Sequence, residues 1–385
     1  MIRLARFVPG ALAMAVAVSG CGLFSSKDPR TLPAQLTTIK PTVNLKVTWH
    51  ASVGKSEGFI FTPAMIDKRI YAIGANGQLT AFDAASGRQL WRVEAAKRVS
   101  GGVGAVNDRI VVGTQKGDLL AFDSNGKLLW KTELGAEILA PAIADAGTMI
   151  VRTADGRLLG LNVEDGKRKW NYQRVTPTLA LRSSAPATVT RGAIFAGFPS
   201  GVVTALELTT GRVGWESTIA APRGATELER IADVSSEPVT DGDQVCAAAY
   251  QGRVGCLEIA SGKSVWSKDI SSSAGIAIDD KYLYVSEESG AVQALDKKTG
   301  ASVWRQKKLT NRRLGTPLAY GKVVLVGDGF GFIHALSKED GSFVGRVATD
   351  GSALSSPPQA EDGMVLFQTA RGGLYAVQVQ PRNGD

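Results

Sequence analysis

Apolar residues fall in short runs separated by glycine-centred turns, and one phrase of runs and turns returns along most of the chain. In its clearest copy Ile110-Val111-Val112 predicts a strand, Lys116-Gly117 a turn, Leu119 to Phe122 the next strand, and Gly126 another turn before a strand that ends at Trp130. Such runs, bounded by glycine, asparagine and aspartate, are the signal of antiparallel hairpins. The phrase ends at Trp91, Trp130, Trp170, Trp215, Trp266 and Trp304, each four residues after a glycine (Gly87, Gly126, Gly166, Gly211, Gly262, Gly300). A seventh copy has Gly341 but carries Gly345 where tryptophan belongs. Successive ends lie 39, 40, 45, 51, 38 and 41 residues apart, the period of four short strands per propeller blade.

An eighth copy starts at Pro357 and stops after three strands, while Val43-Asn44-Leu45-Lys46-Val47-Thr48-Trp49 alternates like an orphan fourth strand. Pairing the two closes the ring and removes an open edge. The predicted fold is therefore all-β: one eight-bladed propeller of four-stranded antiparallel blades over residues 43–380, closed by the N-terminal strand, with 381–385 as a tail. The column Ala81, Ala121, Gly160, Ala205, Cys256, Ala294, Ala335 and Ala376 is small in every copy, which points to a crowded site between facing blades. The tryptophans read as blade-to-blade packing residues.

The first twenty residues differ. Arg3 and Arg6 precede an apolar run from Phe7 to Val18, too short for a permanent bilayer span, and Val18-Ser19-Gly20 leads into Cys21. This is a signal-peptide pattern. It resembles the bacterial lipobox, which implies cleavage before Cys21 and lipid modification of that residue; Gly22, rather than aspartate, implies sorting to the outer membrane, facing the periplasm. Residues 22–42, with Pro29, Pro33 and Pro41, show no apolar period and read as a tether, with a reach of about 60 Å at roughly 3 Å per residue. Without Arg3 and Arg6 the chain keeps 42 basic and 36 acidic residues, a net +6. There is no basic block, so nucleic-acid binding is not expected.

Catalytic and metal motifs are missing from the sequence. The two histidines, His50 and His334, sit in predicted strands and read as structural, no His-Glu-x-x-His or paired metal cysteines occur, and Gly262-Lys263-Ser264 lacks the earlier glycine of a phosphate loop. No catalytic residue, metal or cofactor is expected. Cys246 and Cys256 fall on the second and third strands of one blade, a disulfide candidate in an oxidising compartment. A two-residue turn would face the sulfurs oppositely, an odd-length turn would bring them together.

Ala81-x-Asp83-x-x-x-Gly87-x-x-x-Trp91 resembles the repeat of pyrroloquinoline-quinone (PQQ) enzymes, and a PQQ-dependent dehydrogenase is one reading. It requires quinone, calcium ligands and a basic carboxylate near the ring axis. A glycan-binding propeller is another, but the two longest blade links contain only Tyr172 as an aromatic. Measured from tryptophan to the next inner-strand proline, those links are 16 residues (Trp170 to Pro186) and 23 (Trp215 to Pro238), against 11 for Trp130 to Pro141 and 13 for Trp304 to Pro317. Long links on adjacent blades make one composite patch, and exposed leucine beside arginine and acid suits a protein interface.

Thr178-Leu179-Ala180-Leu181-Arg182, Gly224-Ala225-Thr226-Glu227-Leu228-Glu229-Arg230 and Ala232-Asp233-Val234, with the lipobox and the eight repeats, are similar to the accessory lipoproteins of the outer-membrane β-barrel assembly machine, the BamB family. The resemblance runs from Cys21 to Val379. It implies a scaffold without enzymatic activity that docks on a periplasmic domain of BamA and assists unfolded outer-membrane protein clients. By position it implies Leu179, Leu181 and Arg182 as contacts, with Asp233 in the second loop. Two positions after Asp233, where the family has a further acid, this chain has Ser235.

Overall fold

The computed structural model describes residues 31–382. The expected signal peptide, the lipidation site Cys21, the start of the tether and the last three residues of the tail lie outside the described residues. The rest forms eight four-stranded antiparallel sheets, each with its strands in chain order except the last, where Gln359–Glu361, Met364–Gln368 and Gly373–Pro381 are joined on the outside by Val43–Ser52. Val43 pairs with Pro381 and Ser52 with Gly373, so the first strand completes the last blade along its whole length.

The tryptophans hold neighbouring blades together. Each indole N–H donates to a backbone carbonyl of the following blade: Trp49 to Ala84, Trp91 to Ser124, Trp130 to Val163, Trp170 to Leu208, Trp215 to Ile259, Trp266 to Lys297 and Trp304 to Lys338, at 2.8 to 3.2 Å. The turn glycine of that following blade lies on the ring: a methyl group at Gly87 would stand 2.5 Å from Trp49, and one at Gly300 would stand 2.5 Å from Trp266. Glycine thus serves twice, for its positive φ and for the space it leaves. A fully covered indole removes roughly 200 Å² from water, worth up to about 5 kcal/mol at roughly 25 cal/mol per Å².

The small column packs against the next blade as expected, Ala81 with Ile110 and Val112 and Ala121 with Met149 and Val151, and it has a second cause. Ala81 stands opposite Trp91, Ala121 opposite Trp130 and Gly160 opposite Trp170, with a β-bulge immediately after each pair. A methyl group on Gly160 would meet Trp170 at 2.1 Å. At Gly160 the indole of its own blade lies across the column, so the position is crowded from within its blade as well as from the next one.

The missing seventh tryptophan also has a reason. At Gly345 an added methyl group would meet Val43 at 2.9 Å, and the amide of Thr42 bonds the carbonyl of Val344 at 2.9 Å. The entering chain fills the space an indole would take.

Residues 33–42, expected as part of a free tether, are laid along the seventh blade instead. The Ala34 amide bonds the Thr310 carbonyl at 2.9 Å, Arg312 and Arg346 each donate at 3.0 Å, to the carbonyls of Ala34 and Thr37, and Leu36 packs against the core around Trp304. Backbone carbonyls find donors on this path that a free segment would find only in water. The extended reach of about 60 Å therefore does not apply to its last ten residues.

Candidate functional site

Within each sheet the strands alternate in direction, so the link leaving a fourth strand and the turn between second and third strands share one face. Hydrogen bonds tie the two together, as from Leu134 to Gly117 and from Ile219 to Gly201. The two long links, residues 174–187 and 219–238, are neighbours on this face.

Asp233 joins them. Expected as a partner contact, it is instead 3% exposed, and its carboxylate accepts the Leu181 amide at 2.6 Å and the Ser200 amide at 3.0 Å. A short acid beside two unpaired amides is worth more as an internal clamp than as a surface charge, since a charge-assisted bond shielded from water is stronger. Ser183 reinforces it, donating to the Ser235 carbonyl at 3.0 Å.

Leu181, next to the clamp, is half-buried, whereas Leu179 is 44% exposed. Arg182 keeps 58% of its side chain in solvent but pairs with Glu137 at 2.5 Å and lies 5.3 Å from the Phe59 ring. It can meet a partner's acid only by sharing or leaving Glu137.

The second link is organised by its own side chains. The Glu229 carboxylate accepts the amides of Ala225 at 2.8 Å and Thr226 at 3.1 Å, and the Thr226 hydroxyl accepts the Glu229 amide at 3.3 Å. This is the reciprocal pattern of a capping box, and the backbone amides hold the Glu229 carboxyl below its usual range. In the orientation that satisfies both ends of its side chain, Gln251 donates to the carbonyls of Leu228 and Ile231 at 3.0 and 3.1 Å. The result is one rigid turn that presents Leu228, 66% exposed. Val175, at 93%, is a third apolar side chain on these links. Neither residue was expected as a contact, although the capping pattern Thr226-x-x-Glu229 was the available signal for Leu228.

Cys246 and Cys256 face each other across the second and third strands of the fifth blade and form a disulfide. The five-residue turn over 249–253, closed by Ala249 and Arg253, sets that register. Both cysteines are fully buried, so the bridge belongs to the core.

At the hub, residues from all eight blades line a channel of about 540 Å³. Its wall includes Glu237, whose carboxylate accepts the Thr188 hydroxyl at 3.3 Å. Among the described residues no group of three His, Cys, Asp or Glu is placed to hold a metal ion.

The chain matches the family described as outer membrane protein assembly factor BamB, over residues 75–306 and 290–384. It is 42% identical over 385 residues to the outer membrane protein assembly factor BamB of Nitrosomonas eutropha, covering 96% of this chain and 94% of that protein. Among solved structures it resembles BamB from Moraxella catarrhalis, with TM-score 0.81, 24% identity, and coverage of 87% of this chain and 100% of that one. The quinohemoprotein alcohol dehydrogenase from Comamonas testosteroni is similar at TM-score 0.70 and 14% identity, covering 89% of this chain and 78% of the enzyme. At such identities the two structural likenesses concern the fold alone.

Proposed function

The chain belongs to the outer membrane protein assembly factor BamB family, and on that premise we propose that it is a non-enzymatic scaffold of the outer-membrane protein assembly complex. It docks through its loop face on the periplasmic part of BamA and assists the folding and insertion of β-barrel outer-membrane proteins. Lipid on Cys21 holds it to the outer membrane on the periplasmic side. The buried disulfide agrees with such an oxidising compartment.

One observation carries the docking reading. Leu179 and Leu228 are presented to solvent by two links whose backbones are fixed from within, by Asp233 and by the Thr226–Glu229 box. Exposed leucines on a pre-ordered surface bind with little ordering cost. The dehydrogenase reading has the shared fold in its favour and nothing further.

Co-purification with BamA tests the proposal. Leu179→Asp and Arg182→Glu are expected to abolish it without changing the melting temperature; undiminished recovery with both variants rejects the surface. Leu181→Asp is expected to abolish recovery too, but it also disturbs the half-buried side of the loop, so it is the weaker test.

A further inference from the structure

Beneath the link that carries Leu179 lies a second cavity, of about 310 Å³, lined among others by Arg152, Thr176, Thr178, Ser183, Asp233 and Ser235. Arg152 ends the second strand of the third blade, Thr148–Arg152. Its guanidinium lies 5.3 Å from the Phe198 ring and has no carboxylate partner among the described residues. Nη1 is closed off from solvent and accepted by nothing, and the Ser235 hydroxyl on the same cavity is likewise buried without a partner.

Arg152 is half-buried, with Nη1 shut away from water, and an arginine so placed normally sits against an acid, because leaving a partly desolvated cation unpaired is costly. Here burial alone draws Arg152 down to about 10, with no opposing charge to raise it, and it remains a cation at neutral pH. The one acid on the cavity wall is spent: both Asp233 oxygens already accept backbone amides. A cation, an idle hydroxyl and an apolar ring around an open volume are the parts of an anion site missing its anion.

We propose that this cavity is a carboxylate-binding site, with Arg152 supplying the charge and Ser235 a hydroxyl donor, which takes an acidic group presented at the loop face. A guanidinium pairs bidentately with carboxylate and phosphate alike, and the acid that a protein surface presents is a carboxylate. The site itself stands on the geometry; only the idea that a docked protein supplies the acid rests on the function proposed above.

Nitrogen-15 NMR of the full chain's arginine Nε–Hε groups tests it, with Arg152→Lys used to assign the Arg152 signal. Sodium acetate is expected to shift that signal saturably, while sodium chloride at equal ionic strength is not. No shift, or the same shift with chloride, overturns the proposal and leaves the guanidinium solvated by water. A second arm finds the source of the acid. If Arg152→Gln weakens binding to the periplasmic part of BamA by roughly 30-fold, the docked partner supplies the carboxylate; unchanged affinity beside a positive acetate shift assigns the site to a free small carboxylate. Should wild type fail to bind BamA at all, the docking reading falls and the acetate result still decides the site.

Discussion

Gly87 and Gly147 hold nearly the same left-handed backbone, with φ of +68° and +70°, in very different surroundings. A methyl group at Gly87 would strike Trp49, whereas at Gly147 nothing lies within 4 Å. Gly147→Ala should therefore cost about 1–2 kcal/mol, the backbone term alone. Gly87→Ala should cost that and a further penalty for displacing an indole, about 1–3 kcal/mol, visible as a clearly larger fall in denaturant midpoint. Equal losses would deny the glycine its seat on the tryptophan. At Asp233, replacement by alanine frees two amides, each bonded to a charge and worth roughly 1.5–3 kcal/mol. We expect protease sensitivity confined to residues 174–187 and weaker BamA binding, with the blades intact. The exposure of Leu179 was legible in the sequence because an apolar residue in a long link has little core to join. The burial of Asp233 was not, since an acid in a polar loop reads the same whether it faces water or two backbone amides.

Between residue and whole, the entering segment and the seventh blade share one buried charged cluster. Asp328 accepts from Arg312 Nε at 2.7 Å and pairs with His334 Nε2 at 3.0 Å, while Arg346 Nε donates to His334 Nδ1 at 3.1 Å. The same two arginines hold the carbonyls of Ala34 and Thr37. Burial, helped by Arg346 and Arg312, keeps the imidazole below its usual range despite Asp328. The unfolded chain therefore takes up that proton first, so stability is full above the unfolded value of about 6.5 and falls as the pH drops below it. Melting temperatures should decline from pH 7 to pH 5, and His334→Gln should flatten that decline; an unchanged slope would assign it to other groups. In the fifth blade, replacing both cysteines by alanine should cost roughly 2 kcal/mol or somewhat more, read as a lower denaturant midpoint. The repeat made the blades legible as elements. Residues 33–42 were not, because their contacts are made by backbone groups and leave no apolar period.

At the scale of the molecule, the eight-fold repeat fixes two unlike faces. Short turns between third and fourth strands lie on one, and links of unequal length lie on the other. The described chain enters beside the link after the sixth blade, at Thr310 and Arg312, on the face that carries Leu179 and Leu228 two to three blades away. Ring closure was readable from a missing fourth strand at one end and a spare strand at the other, whereas the path of residues 33–42 needed the contacts of Ala34 and Thr37. The most direct test is hydrogen–deuterium exchange of the propeller with and without the periplasmic part of BamA. We predict added protection in residues 174–187 and 224–231 alone; protection at the third-to-fourth-strand turns around Gly87, Gly126 and Gly166, with the two links unchanged, would contradict the account.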